Sequence, residues 1–411
     1  MKFGLETMRR LCRALGHPEA RFRSILVAGT NGKGSVTAML SASLHAAGHR
    51  VARYTSPHLT RLEERFVVSE SEVDRATLES AAAAVQQAVE RLLRQGDLAA
   101  PPTFFECTTA AAFELFKRAG VELALLEVGL GGRLDATNVV SPLVAAITSI
   151  GLDHQAQLGS TLASVAREKA GVIRPGIPVV CGPLPAEADA VVAQICREQG
   201  ARQVAVEHDL RVDTALRDGR TFVSIESGRR RLSNVPLALT GRHQAQNAAV
   251  AIAVLDELAQ LGFDVGDEAI VTGLTTVRWP ARLELFHRQG CDVLLDAAHN
   301  PAGTRVLAAY LHELGWTDVT LLFGAMRDKD VEGMLAALLP LCDRVICTAA
   351  PGERALAASE LAAIAGRLAA SVRVEAEPDA ERALVRACES GGRVVAAGSI
   401  FLIGPLRDIL R

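Results

Sequence analysis

Short runs of consecutive apolar residues alternate with longer segments of helical periodicity along most of the chain. SILVAG (24–29) is one such run, and a loop reading TNGKGS follows it. SVTAMLSASLHAAGHRV (35–51) then places apolar residues at helical spacing, with Gly48 near its end. RVARYTS (50–56) reads as the next strand, 71–96 as a polar helix, and the region near 107–119 as another helix. VELALLEVG (121–129) and LVAAITSIG (143–151) read as strands, TLASVAREKAGVI (161–173) as helix, and IPVVCG (177–182) as strand. Strands that are apolar throughout and separated by helices predict a mainly parallel sheet with both faces covered.

Residues 203–240 follow a different rule. Apolar and polar residues alternate there, with a turn signal at Asp218-Gly219, which predicts a small antiparallel β region appended to the sheet. A helix is expected over 241–262. Periodicity breaks in TTVRWPARLELF (275–286) at Trp279-Pro280, so the expected domains are 1–278 and 279–411. Beyond the break the alternation restarts, with strands at 291–298, 320–326, 343–350 and 393–399 and a helix at 302–315. The fold class expected is α/β in both domains.

Composition narrows the function classes. The 411 residues are 49% hydrophobic and carry a formal charge of -3, which argues against a dominant nucleic-acid or anionic-membrane partner. No apolar run approaches the ~18 residues of a membrane span. The opening MKFGLETMRRLCRALG has charges where a signal peptide needs an apolar stretch, and reads as a helix. A cytoplasmic protein is therefore expected. No heptads suggest a subunit interface, and a monomer is the expectation. The eight cysteines form no CxxC, so neither a zinc site nor a disulfide framework is expected. Only five of the 44 basic residues are lysines (2, 33, 117, 169 and 329). Such a chain keeps lysine where a compact amine is needed, and Lys33, Lys169 and Lys329 lie in motif-like segments.

VAGTNGKGS (Val27–Ser35) combines strand, glycines, lysine and hydroxyl in the order of an anion cradle. Glycines let the backbone approach phosphate, and the helix N-terminus favours negative charge. Lys33 would pair with the β- and γ-phosphates and Ser35 would face Mg²⁺. The spacing departs from GxxxxGK[ST], and a plain strand-to-helix turn is the alternative. In a parallel sheet, ligands gather at the carboxyl ends of strands. Ser56, Glu127 and His154 fall at such ends. A carboxylate and a hydroxyl are natural Mg²⁺ ligands, whereas histidine alone is more often a helix cap. Lys169, on its own, reads as a surface helix lysine beside Glu168. EVGLGGR lacks the glycine spacing of a dinucleotide loop.

GTNGKGS, together with EVGLGGRLDATN, LDH and AREKAGVI, resembles the Mur ligase superfamily, and most closely the folylpolyglutamate synthase/dihydrofolate synthase family. The resemblance spans nearly the whole chain and implies a P-loop ATPase domain followed by a Rossmann-like glutamate-ligase domain. It implies ATP binding by Thr30, Asn31, Gly32, Lys33, Gly34 and Ser35, by Asn247 on the adenine side, and by Arg282 and Asp296 from the second domain. SPHL, EVGLGG and LDH match segments in which the family binds magnesium, hence Ser56, Glu127 and His154. Lys169 matches the lysine the family carries as a carbamate. PPTFFECTT (101–109) matches a pterin-contacting segment, with Thr103, Phe104, Phe105 and Glu106. Two core phenylalanines before a helix are the competing reading. Leu134, Asp135 and Ala136 match a second substrate segment. Arg65 of the Glu64-Arg65 pair matches a carboxylate-binding arginine; a surface pair is the alternative. His299 and Asn300 in LLDAAHNP, with Ser399, lie where the family places the incoming glutamate, and Lys329 matches a further family segment.

The implied reaction is ATP-dependent addition of L-glutamate to dihydropteroate or to folates through an acyl phosphate. ATP and Mg²⁺ would serve it, and Lys33, Lys169, His154, Arg65 and His299 form the implied catalytic set. The alternatives are a folylpolyglutamate synthase alone, another Mur-type amide ligase, and a P-loop switch that only hydrolyses ATP.

Overall fold

The computed structural model describes residues 4–288, 290–389 and 391–411. Lys2 and the first three residues of the opening segment lie outside them. The chain divides into two compact units. The first comprises Met1–Arg217, Thr221–Ala238 and Gln244–Arg278; the second comprises Asp218–Arg220, Leu239–His243 and Trp279–Arg411.

The first unit is built on eight strands: β1 (Arg23–Ala28), β2 (Val51–Tyr54), β3 (Phe66–Val68), β4 (Ser71–Glu72), β5 (Leu123–Glu127), β6 (Val144–Ile147), β7 (Pro178–Cys181) and β8 (Arg202–Ala205). Their order across the sheet is β4-β3-β2-β5-β1-β6-β7-β8. β2, β5, β1, β6, β7 and β8 run parallel, and at one edge β3 pairs antiparallel with both β2 and β4. The central strands are buried on both faces, as their unbroken apolar runs require. Helices Glu6–Ala14, Arg75–Gln95 and Phe104–Ala119 cover one apolar layer, around Tyr54, Phe113 and Phe116. Helices Leu162–Lys169 and Ala186–Gln199 cover another, around Ile147, Val165 and Val192.

The alternating region differs from expectation in two respects. Residues 202–205 continue the parallel sheet as β8. β9 (Arg211–Arg217), β10 (Arg220–Glu226) and β11 (Arg231–Pro236) then form a separate three-stranded sheet rather than an extension of the first. The polar helix expected from residue 71 starts at Arg75, because Ser71 and Glu72 pair with Val68 and Val67 and Asp74 caps the helix.

The second unit carries a six-stranded sheet. Its strands are β12 (Glu284–Arg288), β13 (Cys291–Leu295), β14 (Val319–Phe323), β15 (Cys342–Cys347), β16 (Arg373–Ala376) and β17 (Gly392–Ala397), in the order β12-β13-β17-β14-β15-β16. All pairings are parallel except that of β12, an antiparallel edge strand hidden in the segment the sequence presents as a break. Among the described residues no helix is long and apolar enough to cross a membrane. The eight cysteines are free thiols, five of them buried.

Candidate active site

Strand register sets the site of the first unit. β1 lies between β5 and β6, with Val27 opposite Glu127 and Ala28 opposite Ile147. β2 follows on the far side of β5, with Tyr54 opposite Leu126. The loops carrying Lys33, Glu127, Ser56 and His154 thus leave one end of four adjacent strands, the carboxyl end, where parallel sheets bind ligands.

The glycine loop is clasped by the segment that follows β6. The Thr30 amide donates to the Ser149 carbonyl at 2.8 Å, and the Asn31 amide to Ser149 Oγ at 3.0 Å. Thr148 Oγ1 donates to the Asn31 carbonyl at 2.6 Å, and Thr30 Oγ1 to that of Gly151 at 3.1 Å. These polar ties explain why the expected strand 143–151 ends at Ile147. Helix Lys33–Ala46 starts directly at the loop, with Gly32 as its N-cap at φ 86°. Its first-turn amides, those of Lys33, Gly34 and Ser35, have no intrahelical acceptor, as at any helix start. A Cβ on Gly32 would collide with the Asn247 side-chain amide, so Asn247 lies directly against the loop. Asn247 is itself buried and donates to Gln244 Oε1 at 2.9 Å.

Two lysines meet at the loop. Lys33 Nζ donates to the carbonyls of Gly29 and Thr30, both at 3.1 Å, and Lys169 Nζ donates to the same Gly29 carbonyl at 2.7 Å. Lys169 is buried, and Glu168 pairs with Arg133 instead, so the surface-lysine reading does not describe this helix. Burial, and then the positive charge of Lys33, push the Lys169 ammonium down to about 7, against partial support from Asp153 and Asp135. An amine of that kind is about half uncharged at neutral pH, and the uncharged fraction is a nucleophile.

Glu127 is buried, and its Oε2 accepts the Ser56 amide at 3.1 Å, which joins two of the expected metal ligands. His154 adopts φ 50° and stands at the N-terminus of the short helix Gln155–Leu158, its amide donating to Asp153 Oδ1 at 2.8 Å. Among the described residues no three His, Cys, Asp or Glu side chains cluster as a metal site. The Glu127 carboxylate and the Ser56 hydroxyl are nonetheless donors that suit Mg²⁺, with the imidazole the less usual member of the expected set. That ion keeps several waters and is commonly completed by substrate phosphates rather than by a protein cage.

Beside Ser56, the segment 58–65 presents Arg65. The guanidinium lies 5.4 Å from the Phe104 ring centroid, and its Nε donates to His58 Nδ1 at 2.9 Å. His58 therefore carries its proton on Nε2, and burial together with Arg65 lowers its pKa. Glu64 is no loose surface partner, since its carboxylate accepts the amides of Leu59, Thr60 and Arg61. Phe104 is 61% exposed, whereas Phe105 packs under Gly129, where a Cβ would come within 2.6 Å of its ring. The two phenylalanines of the expected pterin-contacting segment thus divide: Phe104 is presented to solvent and Phe105 supports the EVGLGG turn. Thr103 is the N-cap of helix Phe104–Ala119, and Glu106 Oε2 accepts the Thr103 amide at 2.7 Å in a capping box. Asp135 is buried in the loop containing Leu134 and Ala136. Its oxygens accept the amides of Leu130 and Thr137 and the Thr137 hydroxyl, and burial raises its pKa. Both carboxylates already serve the backbone, and a pterin would have to share their remaining lone pairs.

In the second unit the predicted residues again collect at the carboxyl ends of neighbouring strands, β13 and β17. Asp296 is buried and accepts the amides of Leu283 at 2.9 Å and Ala298 at 2.8 Å. Burial raises its pKa, and the Arg282 guanidinium opposes the rise. His299 Nδ1 donates to the Ala297 carbonyl at 2.9 Å. Asn300 caps helix Pro301–Glu313, and Ser399 caps helix Ile400–Leu410. Gly398 N–H donates to the Ala298 carbonyl at 2.9 Å, which ties the two capped loops together. Lys329 lies in the turn before helix Val331–Leu338. His58, Thr148, Ser149 and Gln244 went unnoticed in the sequence. Only the proximity of His58 to Ser56 in SPHL hinted at any of them.

Fold and site together define a Mur-type ligase. Residues 27–255 match the Mur ligase middle domain, and residues 281–400 the Mur ligase glutamate ligase domain. The chain is 34% identical to the dihydrofolate synthase/folylpolyglutamate synthase of Bacillus subtilis, over 100% of its own length and 96% of that protein's. It spans less than half of two longer relatives, 41% of a Haloferax volcanii protein and 49% of a Halobacterium salinarum protein, each named a probable bifunctional folylpolyglutamate synthase/dihydropteroate synthase. The structure of Mycobacterium tuberculosis folylpolyglutamate synthase complexed with ADP and AMPPCP matches with a TM-score of 0.93 at 32% identity, covering 99% of this chain and 95% of that one. A bifunctional folylpolyglutamate synthase/dihydrofolate synthase with Mn, AMPPNP and L-glutamate bound matches with a TM-score of 0.86 at 34% identity, covering 100% and 95%. The chain belongs to the dihydrofolate synthase/folylpolyglutamate synthase family of Mur ligases.

Proposed function

We propose that this chain uses ATP to join L-glutamate by an amide bond to a pterin-bearing acid, accepting dihydropteroate and reduced folates alike. The observation that carries the reading is the meeting of Lys33 and Lys169 on the Gly29 carbonyl, just past the end of the strand next to the one that ends in buried Glu127. A loop that only bound and hydrolysed nucleotide would not need the second, deeply buried amine. The nucleotide, manganese and glutamate bound by the relatives described above support the same assignment.

The substrate carboxylate attacks the γ-phosphorus of ATP; the bond to the bridging oxygen breaks and ADP departs. The glutamate amine, having lost a proton, attacks the acyl carbon of the resulting acyl phosphate, and phosphate leaves as the amide forms. Charge on the phosphates is taken by Lys33 and by the first-turn amides of helix Lys33–Ala46, since the Thr30 and Asn31 amides are already committed to Ser149. Lys169 as free amine adds to CO₂, releasing one proton and leaving an anionic carbamate. That exchange turns the repulsion between the buried Lys169 ammonium and the part-buried Lys33 into attraction. Glu127, Ser56 and His154 would hold Mg²⁺, which supplies charge neutralisation at the phosphates. Arg65, its Nε committed to His58, offers its terminal amino groups to the substrate carboxylate, and Phe104 offers an exposed face to the pterin. The loops at His299, Asn300 and Ser399, each followed by a helix start, suit the carboxylates of L-glutamate. Arg282 and Asp296 are read as nucleotide-side residues, and a cytoplasmic monomer as the working form.

ADP release with Mg²⁺, ATP and L-glutamate tests this directly. Release with both dihydropteroate and a reduced folate, each gaining the mass of one glutamyl unit, is the expected result. Release with the folate alone makes the chain a folylpolyglutamate synthase only. Release that ignores glutamate and both acceptors returns the reading to a P-loop switch.

A further inference from the structure

Arg282 stands between two non-glycine residues in left-handed backbone, Ala281 at φ 58° and Leu283 at φ 49°. Both are buried. Side chains hold that region at a cost, and only where the surroundings over-determine it; such strain gathers at functional positions. Two carboxylates supply the constraint here. Glu284 Oε2 accepts the Ala281 amide at 2.8 Å, and Asp296 Oδ2 accepts the Leu283 amide at 2.9 Å. The Ala281 carbonyl in turn receives the Ala297 amide at 3.0 Å and Arg282 Nη1 at 2.9 Å. Strand pairing fixes the frame, because Glu284 lies opposite Leu295, the residue before Asp296. The two carboxylates therefore grip the turn from neighbouring strands. Glu284 is itself anchored: Arg407 Nε, on the C-terminal helix, donates to the same Oε2 at 2.7 Å, and the pair is only 27% and 14% exposed.

We infer that Glu284 and Arg407 are positioning residues for Arg282, their ion pair fixing the Ala281 amide and with it the direction in which the Arg282 side chain leaves the backbone. Neither residue is among those the sequence marks as site residues, although Glu284 lies in the segment where periodicity breaks. A pair serving general stability would gain nothing from a strained turn on both sides of one arginine. The inference rests on the reading of Arg282 as a nucleotide-side residue, and the test separates the two.

Full-length wild type, Arg282→Ala, Glu284→Ala, Glu284→Gln and the Arg282→Ala/Glu284→Ala double variant are compared. kcat and KM for ATP are measured by ADP release, and binding of a non-hydrolysable ATP analogue is measured by calorimetry, which needs no turnover. Thermal unfolding by circular dichroism checks folding. Misplacing a reactive group by about 1 Å costs on the order of 100-fold, so Glu284→Ala is expected to lose roughly 10- to 100-fold in kcat/KM. Glu284→Gln, which keeps an acceptor for the Ala281 amide, is expected to recover part of the loss. The double variant is expected to be no worse than Arg282→Ala, because a residue acting through another has nothing left to position. Losses that multiply in the double variant, or a Glu284→Ala enzyme within twofold of wild type, overturn the inference. If Arg282→Ala binds and turns over nucleotide like the wild type, the reading of Arg282 itself falls. Arg407→Ala should follow Glu284→Ala in kinetics; one that lowers only the melting temperature makes the pair structural and also overturns the inference.

Discussion

Lys169 shows how far a single side chain can carry an argument. Its ammonium is pushed down to about 7, chiefly by burial and next by Lys33. Arginine at this position would stay charged and cannot form a carbamate, so Lys169→Arg should lose activity by about 100-fold or more, the scale of a removed electrostatic stabiliser. Lys169→Ala leaves a space that a small anion can fill, and part of the lost rate should return with millimolar formate or acetate. Full activity in the arginine variant would remove the carbamate from the mechanism. The pH dependence has a definite sign. CO₂ adds only to the free amine, so at limiting bicarbonate the activity should fall as pH drops through about 7, and excess bicarbonate should shift that fall to lower pH. For stability, the unfolded lysine keeps its proton up to about 10.5 while the folded one releases it near 7, so the unfolded state binds more protons in that window. In CO₂-free buffer the wild type should therefore gain stability with rising pH between those values relative to Lys169→Met, as read from denaturant midpoints.

At the scale of elements, helix starts and helix contacts hold the site in place. Thr103→Ala removes the cap beneath Phe104 and should cost about 1 kcal/mol, with a raised KM for the pterin acid measured in the ligation assay. Helix Lys33–Ala46, which carries the phosphate loop, packs closely on helix Asp267–Thr276 at Gly273, where a Cβ would come within 2.6 Å of Ser43 Cα. Gly273→Ala should lower stability by about 1–3 kcal/mol, the usual cost of overpacking, and displace the phosphate loop, with denaturant midpoint and KM for ATP as the readouts. A variant unchanged in both would show that the contact yields freely. These elements also show what could be read ahead of the structure. The buried parallel strands were legible because both faces are covered, and the phosphate loop because its residue types stand in order. The Thr103/Glu106 spacing was equally legible as a helix start, and the carboxylate that the resemblance assigns to a pterin also closes the capping box. β12 was hidden because an edge strand of five residues lies beside Trp279-Pro280 and carries no clean alternation. The meeting of Lys169 with Gly29 was beyond reach, since 140 residues separate them and only strand order brings them together.

For the whole molecule, the division of the chain makes the site readings separable in solution. Lys33, Lys169, Glu127, Ser56 and Asn247 belong to the first unit, and His299, Asn300 and Ser399, together with the nucleotide-side candidates Arg282 and Asp296, to the second. A ligand that binds only the folded form raises the stability of the unit it contacts by RT ln(1 + [L]/Kd), about 2.7 kcal/mol at a hundredfold excess over Kd. Scanning calorimetry of the full chain should thus show an unfolding transition raised by a non-hydrolysable ATP analogue with Mg²⁺. Lys33→Ala should abolish that rise. L-glutamate should act on the other transition, that of the second unit, and Ser399→Ala or His299→Ala should diminish its effect while leaving the nucleotide response unchanged. If the chain unfolds in a single transition, the same variants still distinguish the ligands, because each should suppress one response and spare the other. Glutamate protection that vanishes with Lys33→Ala and survives both second-unit variants would move the amino-acid site to the first unit. The loops after β13 and β17 would then need another role.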